Sequence, residues 1–262
     1  MLKHLAVSTA LQLGISIAKI ADPNDVRALI RRMHPVTTEH ELVRIGCSGD
    51  GGYLVPNDLD GITACFSPGV DNRATFEETL IARDIPCHLA DASVNFNPIK
   101  DETKSTFLKK YIGVLNNDLF ITLDKWIDTF DPSGGDLLLQ MDIEGAEWQA
   151  LLNISEKNLA RFRIIIVELH DMERLMDKHA FQVIKAVMDR LLEKFYIVHN
   201  HPNNYGGLVT AGDIEIPRVH ELTLLRRDRV ENAMPATRFP HLLDRTNAED
   251  RQDILLPPIW HG

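Results

Sequence analysis

Asp142, Glu144 and Gly145 follow at once on the apolar run 137-LLLQM-141. Glu168 and His170 follow 164-IIIV-167, and His199, His201 and Asn203 follow the shorter stretch 195-FYIV-198. Carboxylates and imidazoles of this kind can take up and return a proton near neutral pH, or gather around a divalent cation. No spacing among them marks a metal centre, so an ion is possible but not favoured. Upstream, Gly69, Val70 and Asp71 leave the run 62-ITACFSP-68, and Asp91 closes 86-PCHLA-90. A glycine turn after one strand, with an acid 22 positions further on at the end of the next, is the spacing of a nucleoside-binding α/β half. Gly69 would let the backbone approach the ligand and Asp91 would accept from ribose hydroxyls. The three-glycine loop that grips a pyrophosphate is missing, which favours a nucleoside without phosphates.

Each residue also has a plainer reading. Asp91 could be a turn residue, and Asp142 an N-cap for a helix beginning near Ala146, with Glu144 and Glu147 in its first turn against the helix dipole. A histidine after a strand is commonly just hydrogen-bonded in its loop. What weighs against these readings is that nearly every strand exit carries such groups.

The elements that must position them follow from periodicity. Strands are expected over 62–67, 86–90, 108–114, 136–141, 163–169, 196–199 and 221–226. Helices are expected over 25–35, 75–83, 122–130, from about Ala146, and over 178–195, where Phe181, Ile184, Met188, Leu191 and Phe195 share one face. Gly46, Gly49, Gly51 and Gly52 mark a tight loop. Strands alternating with helices imply right-handed crossovers and a doubly wound, mostly parallel sheet, whose ligands bind outside the carboxyl ends of the strands.

Composition limits the rest. The 262 residues are 44% hydrophobic and 25% charged, ordinary for a folded domain, and the net charge of −10 disfavours nucleic acid or an anionic membrane as partner. Lys104, Lys109 and Lys110 are the nearest approach to a basic patch and read as a solvated face. Three cysteines without CxxC spacing argue against disulfides or a zinc cluster and fit a reducing, cytoplasmic setting. The stretch 1–20 is too short and polar to span a bilayer, so stable membrane insertion is not expected. An amphipathic helix there is the expectation.

The runs 136-DLLLQMDIEGAEWQALL-152 and 162-FRIIIVELH-170, with 44-RIGCSGDGGYLVP-56, 66-FSPGVDNRATFE-77, 122-TLDKWID-128, 199-HNHPNN-204 and 219-VHELTLLRRD-228, resemble the FkbM family of S-adenosylmethionine-dependent methyltransferases. The resemblance spans residues 41–228, between an N-terminal helical segment (1–40) and a C-terminal extension (229–262). It implies a class I methyltransferase fold of Rossmann-like type: a seven-stranded, mostly parallel sheet with an antiparallel last strand. It further implies S-adenosylmethionine as cofactor. Gly69, Val70, Asp71 and Asp142 would line it and Asp91 would hold its ribose.

The implied reaction is O-methylation of a hydroxyl on a sugar, glycan or natural-product-like small molecule. Methyl transfer is an in-line displacement that needs alignment and a proton acceptor. His170 or His201 is the expected base, oriented by Asp142 or Glu168, with Tyr53, Glu144, His199 and Asn203 against the acceptor. The alternatives are a nicotinamide-dependent oxidoreductase, disfavoured by the phosphate-poor loop, and a non-catalytic cofactor-binding module. The extension could cap the sheet edge, cover the acceptor pocket or form a homodimer contact.

Overall fold

The computed structural model of the chain describes residues 9–14 and 17–262. Seven strands build the central sheet: β1 (Ile62–Pro68), β2 (Cys87–Ala90), β3 (Ser105–Leu108), β4 (Asp136–Met141), β5 (Phe162–Leu169), β6 (Phe195–Pro202) and β7 (His220–Arg226). Their spatial order is β3-β2-β1-β4-β5-β7-β6. The first five pair in parallel, and β7 runs antiparallel to both of its neighbours. Successive strands step outward from β1 in one direction and then from β4 in the other, so the order reverses between β1 and β4. That reversal leaves a crevice at their carboxyl ends.

Both faces of the sheet are covered, which is why β4 and β5 read as unbroken apolar runs. On one face lie α1 (Pro23–Arg32), α3 (Leu123–Phe130), α4 (Glu147–Asn153) and α5 (Lys178–Lys194), burying Leu29, Trp126, Leu151 and Met188 against Phe66, Leu139 and Val167. On the other lie α2 (Thr75–Ile81) and a hairpin of Leu42–Gly46 with Gly52–Pro56, burying Phe76, Leu80, Ile45 and Val55 against Cys65, Leu138 and Ile166. Asp22 and Thr122 cap α1 and α3 with their side chains, as their positions before the apolar periodicity suggest. The glycine-rich loop is the tip of this hairpin, and what it approaches closely is itself: a Cβ on Gly52 would lie 2.0 Å from the Cys47 carbonyl oxygen.

The third strand is not 108–114 but β3, which stops at Leu108 because the Lys110 amide turns back to the Leu108 carbonyl at 2.7 Å. The following Tyr111–Ile112 pairs instead with Phe120–Ile121, off the main sheet. The strand expected over 196–199 continues to Pro202, because Asn200, His201 and Pro202 pair with Leu222, Glu221 and His220. His199 and His201 therefore lie within a strand and not in its exit loop. Asp142 does not cap a helix: α4 starts at Glu147, and Ala146 precedes it without a side-chain cap.

The C-terminal residues pack along the edge strand. Asp244 bonds His199, Asn247 bonds Glu221, and buried Trp260 donates its indole N–H to the Glu215 carbonyl. At the other end, residues 9–12 form a helical turn, residues 17–20 of the expected amphipathic helix are not helical, and residues 1–8 and 15–16 lie outside the described residues.

Candidate functional site

The crevice between β1 and β4 holds a cavity of about 350 Å³. Gly69, Val70, Asp71, Asp142 and Tyr53 all line it, so five of the residues singled out in the sequence meet at one place. Asp91 stands just behind: one carboxylate oxygen accepts from the Asp71 amide at 3.3 Å and the other from the Ser93 amide and hydroxyl at 2.7 Å. It braces the β1 loop and does not line the cavity.

Sequence alone missed Asp50, Glu77 and Gln140, which also line this cavity. Gln140 carries a signal, being the one polar residue in the buried run 137-LLLQM-141. Its amide donates to the Tyr53 hydroxyl at 3.2 Å, and its carbonyl accepts from Ser67 at 2.6 Å. Ser67 in turn contacts the carboxyl of Glu77, which reaches in from α2.

Beyond Asp142 lies a second group. Burial and the adjoining Glu168 push the Asp142 carboxyl well up from its usual range, and its Oδ1 is buried without a hydrogen-bond partner. Burial and Glu221 on β7 push Glu168 up as well, to about 7, while the side-chain amide of Asn203 bonds it. Two carboxyl groups in one buried place do not both ionise, so the pair holds a proton between them.

His170 completes this group. Its Nδ1 donates to Glu147 Oε1 and to the Glu168 carbonyl, each at 3.2 Å, and its Nε2 lies 3.5 Å from Glu144 and 3.9 Å from Asp142. Burial opposes the charged ring, but the hydrogen bond and charge of Glu147, with Asp142 and Glu144, outweigh it and raise His170 to about 9. Both nitrogens face acceptors, so the ring is an imidazolium at neutral pH.

Glu147 is fully buried, and its carboxylate also accepts from the Ile143 and Gly145 amides, closing the turn that presents Asp142. Glu144, at φ +55°, sits on the tip of that turn with its side chain in solvent. Asp142, Glu147 and His170 each bring a donor atom within 4.8 Å of the others. However, the backbone amides and His170 already engage the Glu147 carboxylate, which makes the group a hydrogen-bonded clamp more than a vacant ligand set.

The two remaining histidines stand apart. His201 pairs across β7 with Glu221, its Nδ1 3.7 Å from that carboxylate, and so lies two strands, roughly 10 Å, from Glu168. Burial opposes its charge and Glu221 overcomes this, raising its pKa. His199 Nε2 donates to the Asp244 carboxylate at 2.8 Å, and the ring lines a different cavity, with His40, Phe239 and His241. It is not brought to Asp142.

A doubly wound, mostly parallel sheet with a cavity at the strand reversal defines a Rossmann-like α/β protein. Residues 120–198 match the family model described as the methyltransferase FkbM domain, the family that the motifs resemble. The matched segment contains Asp142, Glu144, Glu147, Glu168 and His170 and stops short of the β1 loop on one side and His199 on the other. No curated protein matches the chain. Among the described residues, no helix is long and apolar enough to cross a membrane.

Proposed function

We propose that the chain is an S-adenosylmethionine-dependent O-methyltransferase with the class I sheet order, acting on a hydroxyl of a sugar, glycan or natural-product-like small molecule. The observation that carries this reading is the cavity at the β1–β4 reversal, lined by Asp50, Asp71, Glu77 and Asp142 against the single cation Arg73. An acid-lined wall with an unpartnered buried Asp142 oxygen suits a ligand bearing a sulfonium and an ammonium, and suits a nicotinamide dinucleotide, with its phosphates, poorly. The cofactor, when bound, supplies an electrophilic methyl group.

The chain's own residues then divide the work. Gly69, Val70 and Asp71 shape the cavity wall, Asp142 stands at the junction of cofactor and acceptor, and the Asp142–Glu168 pair receives the hydroxyl proton. A carboxyl near 7 is well matched to that task. The imidazolium of His170 holds the Asp142 turn and keeps negative charge tolerable there, a positioning role in place of the base expected from sequence. Asn203 fixes Glu168. His201, behind Glu221, is too far from Asp142 to take the proton directly.

The test is calorimetric binding of S-adenosylmethionine against a nicotinamide cofactor, followed by labelled-methyl transfer to a panel of sugars, glycolipid headgroups and hydroxylated metabolites. Binding of the nicotinamide cofactor alone, or methylation confined to amines or carboxylates, would overturn it.

A further inference from the structure

Glu77 is a buried carboxyl that the reaction above does not use. It sits on α2 with 3% exposure, lines the cavity, and among the described residues makes no ion pair. A carboxyl kept at a ligand cavity without a cation of its own is complementary to a cation that the ligand brings. Burial pushes it up from its ordinary range, as does the neighbouring Glu78.

Its surroundings say which cation. Glu77 Oε1, the Ser67 hydroxyl and Gln140 Oε1 stand together, Ser67 touching both of the others. Glu77 and Gln140 line the cavity, while the fully buried Ser67 joins them from behind, so the carboxyl and the amide oxygen are offered as acceptors to the N–H donors of a primary ammonium. A sulfonium has no hydrogen to donate and gains nothing from such geometry. Asp50 and Asp71, the other acids near this end, are exposed, which leaves Glu77 as the buried one. The cluster is held by three separate elements, β1, β4 and α2, so it is preformed and not assembled by the ligand.

We infer that Glu77 and Gln140, braced from behind by Ser67, form the subsite that takes the α-ammonium group of the cofactor's amino-acid end. The inference rests on the cofactor reading above and adds a residue and an orientation to it: the amino-acid end lies against α2, and the methyl-bearing end lies toward Asp142.

The test is isothermal titration of the full chain with S-adenosylhomocysteine and with its desamino analogue, in the wild type and in Glu77→Gln. The wild type is expected to bind the desamino ligand at least about tenfold more weakly, the scale of a lost hydrogen bond to a charged group. Glu77→Gln is expected to lose about the same factor for S-adenosylhomocysteine and to leave the desamino ligand within about twofold.

Equal wild-type affinity for the two ligands would overturn the subsite without recourse to any variant, even if Glu77→Gln does not fold. An equal loss for both ligands in Glu77→Gln would reduce Glu77 to a structural part of the wall. If the wild type binds neither S-adenosylmethionine nor S-adenosylhomocysteine, the cofactor reading itself falls first.

Discussion

Gly69 and Asp142 touch backbone to backbone across the strand reversal. A Cβ added to Gly69 would lie 1.6 Å from the Asp142 carbonyl oxygen, and the Asp142 amide donates to the Pro68 carbonyl at 3.3 Å. Gly69 also holds φ at +82°, a conformation that side chains disfavour. The sequence pattern suggested a glycine making room for a ligand. In the structure its first duty is to the protein, since it lets the β1 loop seat directly on the β4 exit and so forms the cavity floor.

Gly69→Ala should therefore damage fold and site together. The backbone strain and overlap should cost at least ~2 kcal/mol, which for a chain of this size is about 4–8 °C in the thermal midpoint. Differential scanning calorimetry reads this directly. An alanine variant with an unchanged midpoint would show that the β1–β4 contact is looser than described.

Glu147 is the second structural pivot, because one buried carboxylate accepts from two backbone amides and from His170. Glu147→Gln keeps the shape but turns one acceptor into a donor facing donors. A loss of roughly 2–4 kcal/mol in denaturant unfolding is expected. The His170 titration, followed by proton NMR, should fall from about 9 toward its ordinary value, since Glu147 supplies the leading favourable contribution. A stable variant with His170 still titrating near 9 would assign the imidazolium to Asp142 and Glu144 instead.

The parts of the molecule legible in the sequence are those set by local pattern. The apolar runs of β4 and β5, the capped α1 and α3 and the glycine turn at Gly69 are each fixed by neighbours in the chain. Asp142 stood out for the same reason, as an acid at the mouth of a buried strand. Glu77 did not, and Gln140 shows only as a polar break in an apolar run, because what matters about them is the Ser67 contact that joins three elements distant in sequence. His199 and His201 were misplaced into an exit loop because the pairing that extends β6 comes from β7, some twenty residues away. Glu147 looked like an ordinary acid in a first helical turn, and only its complete burial reveals the clamp on His170.

His170 makes stability depend on pH in a defined direction. Its folded pKa, about 9, lies above the unfolded value near 6.5, so its contribution is fully present below pH 6.5 and is lost as pH rises through 9. The stability gap between wild type and His170→Gln should be on the order of 1–3 kcal/mol at pH 6 and should close by pH 9.5. Urea unfolding at pH 6, 7.5 and 9.5 measures it. A gap that widens with pH would mean that the ring is neutral in the folded protein.

Asp142 offers the sharpest separation of fold from function. Burial and Glu168 hold its carboxyl up, so at neutral pH it carries a proton, and an amide is its closest neutral mimic. Asp142→Asn should leave the unfolding free energy within about 1 kcal/mol of wild type, because no ionised partner is being removed. Methyl transfer should nonetheless fall by roughly a hundredfold or more, since an amide cannot share or pass the proton that the pair with Glu168 must receive. Binding of S-adenosylhomocysteine should persist, as its amino-acid end is held elsewhere on the wall. If Asp142→Asn instead unfolded the protein while leaving the turnover of the surviving folded fraction intact, Asp142 would be a structural acid and the proton would have to leave by another group.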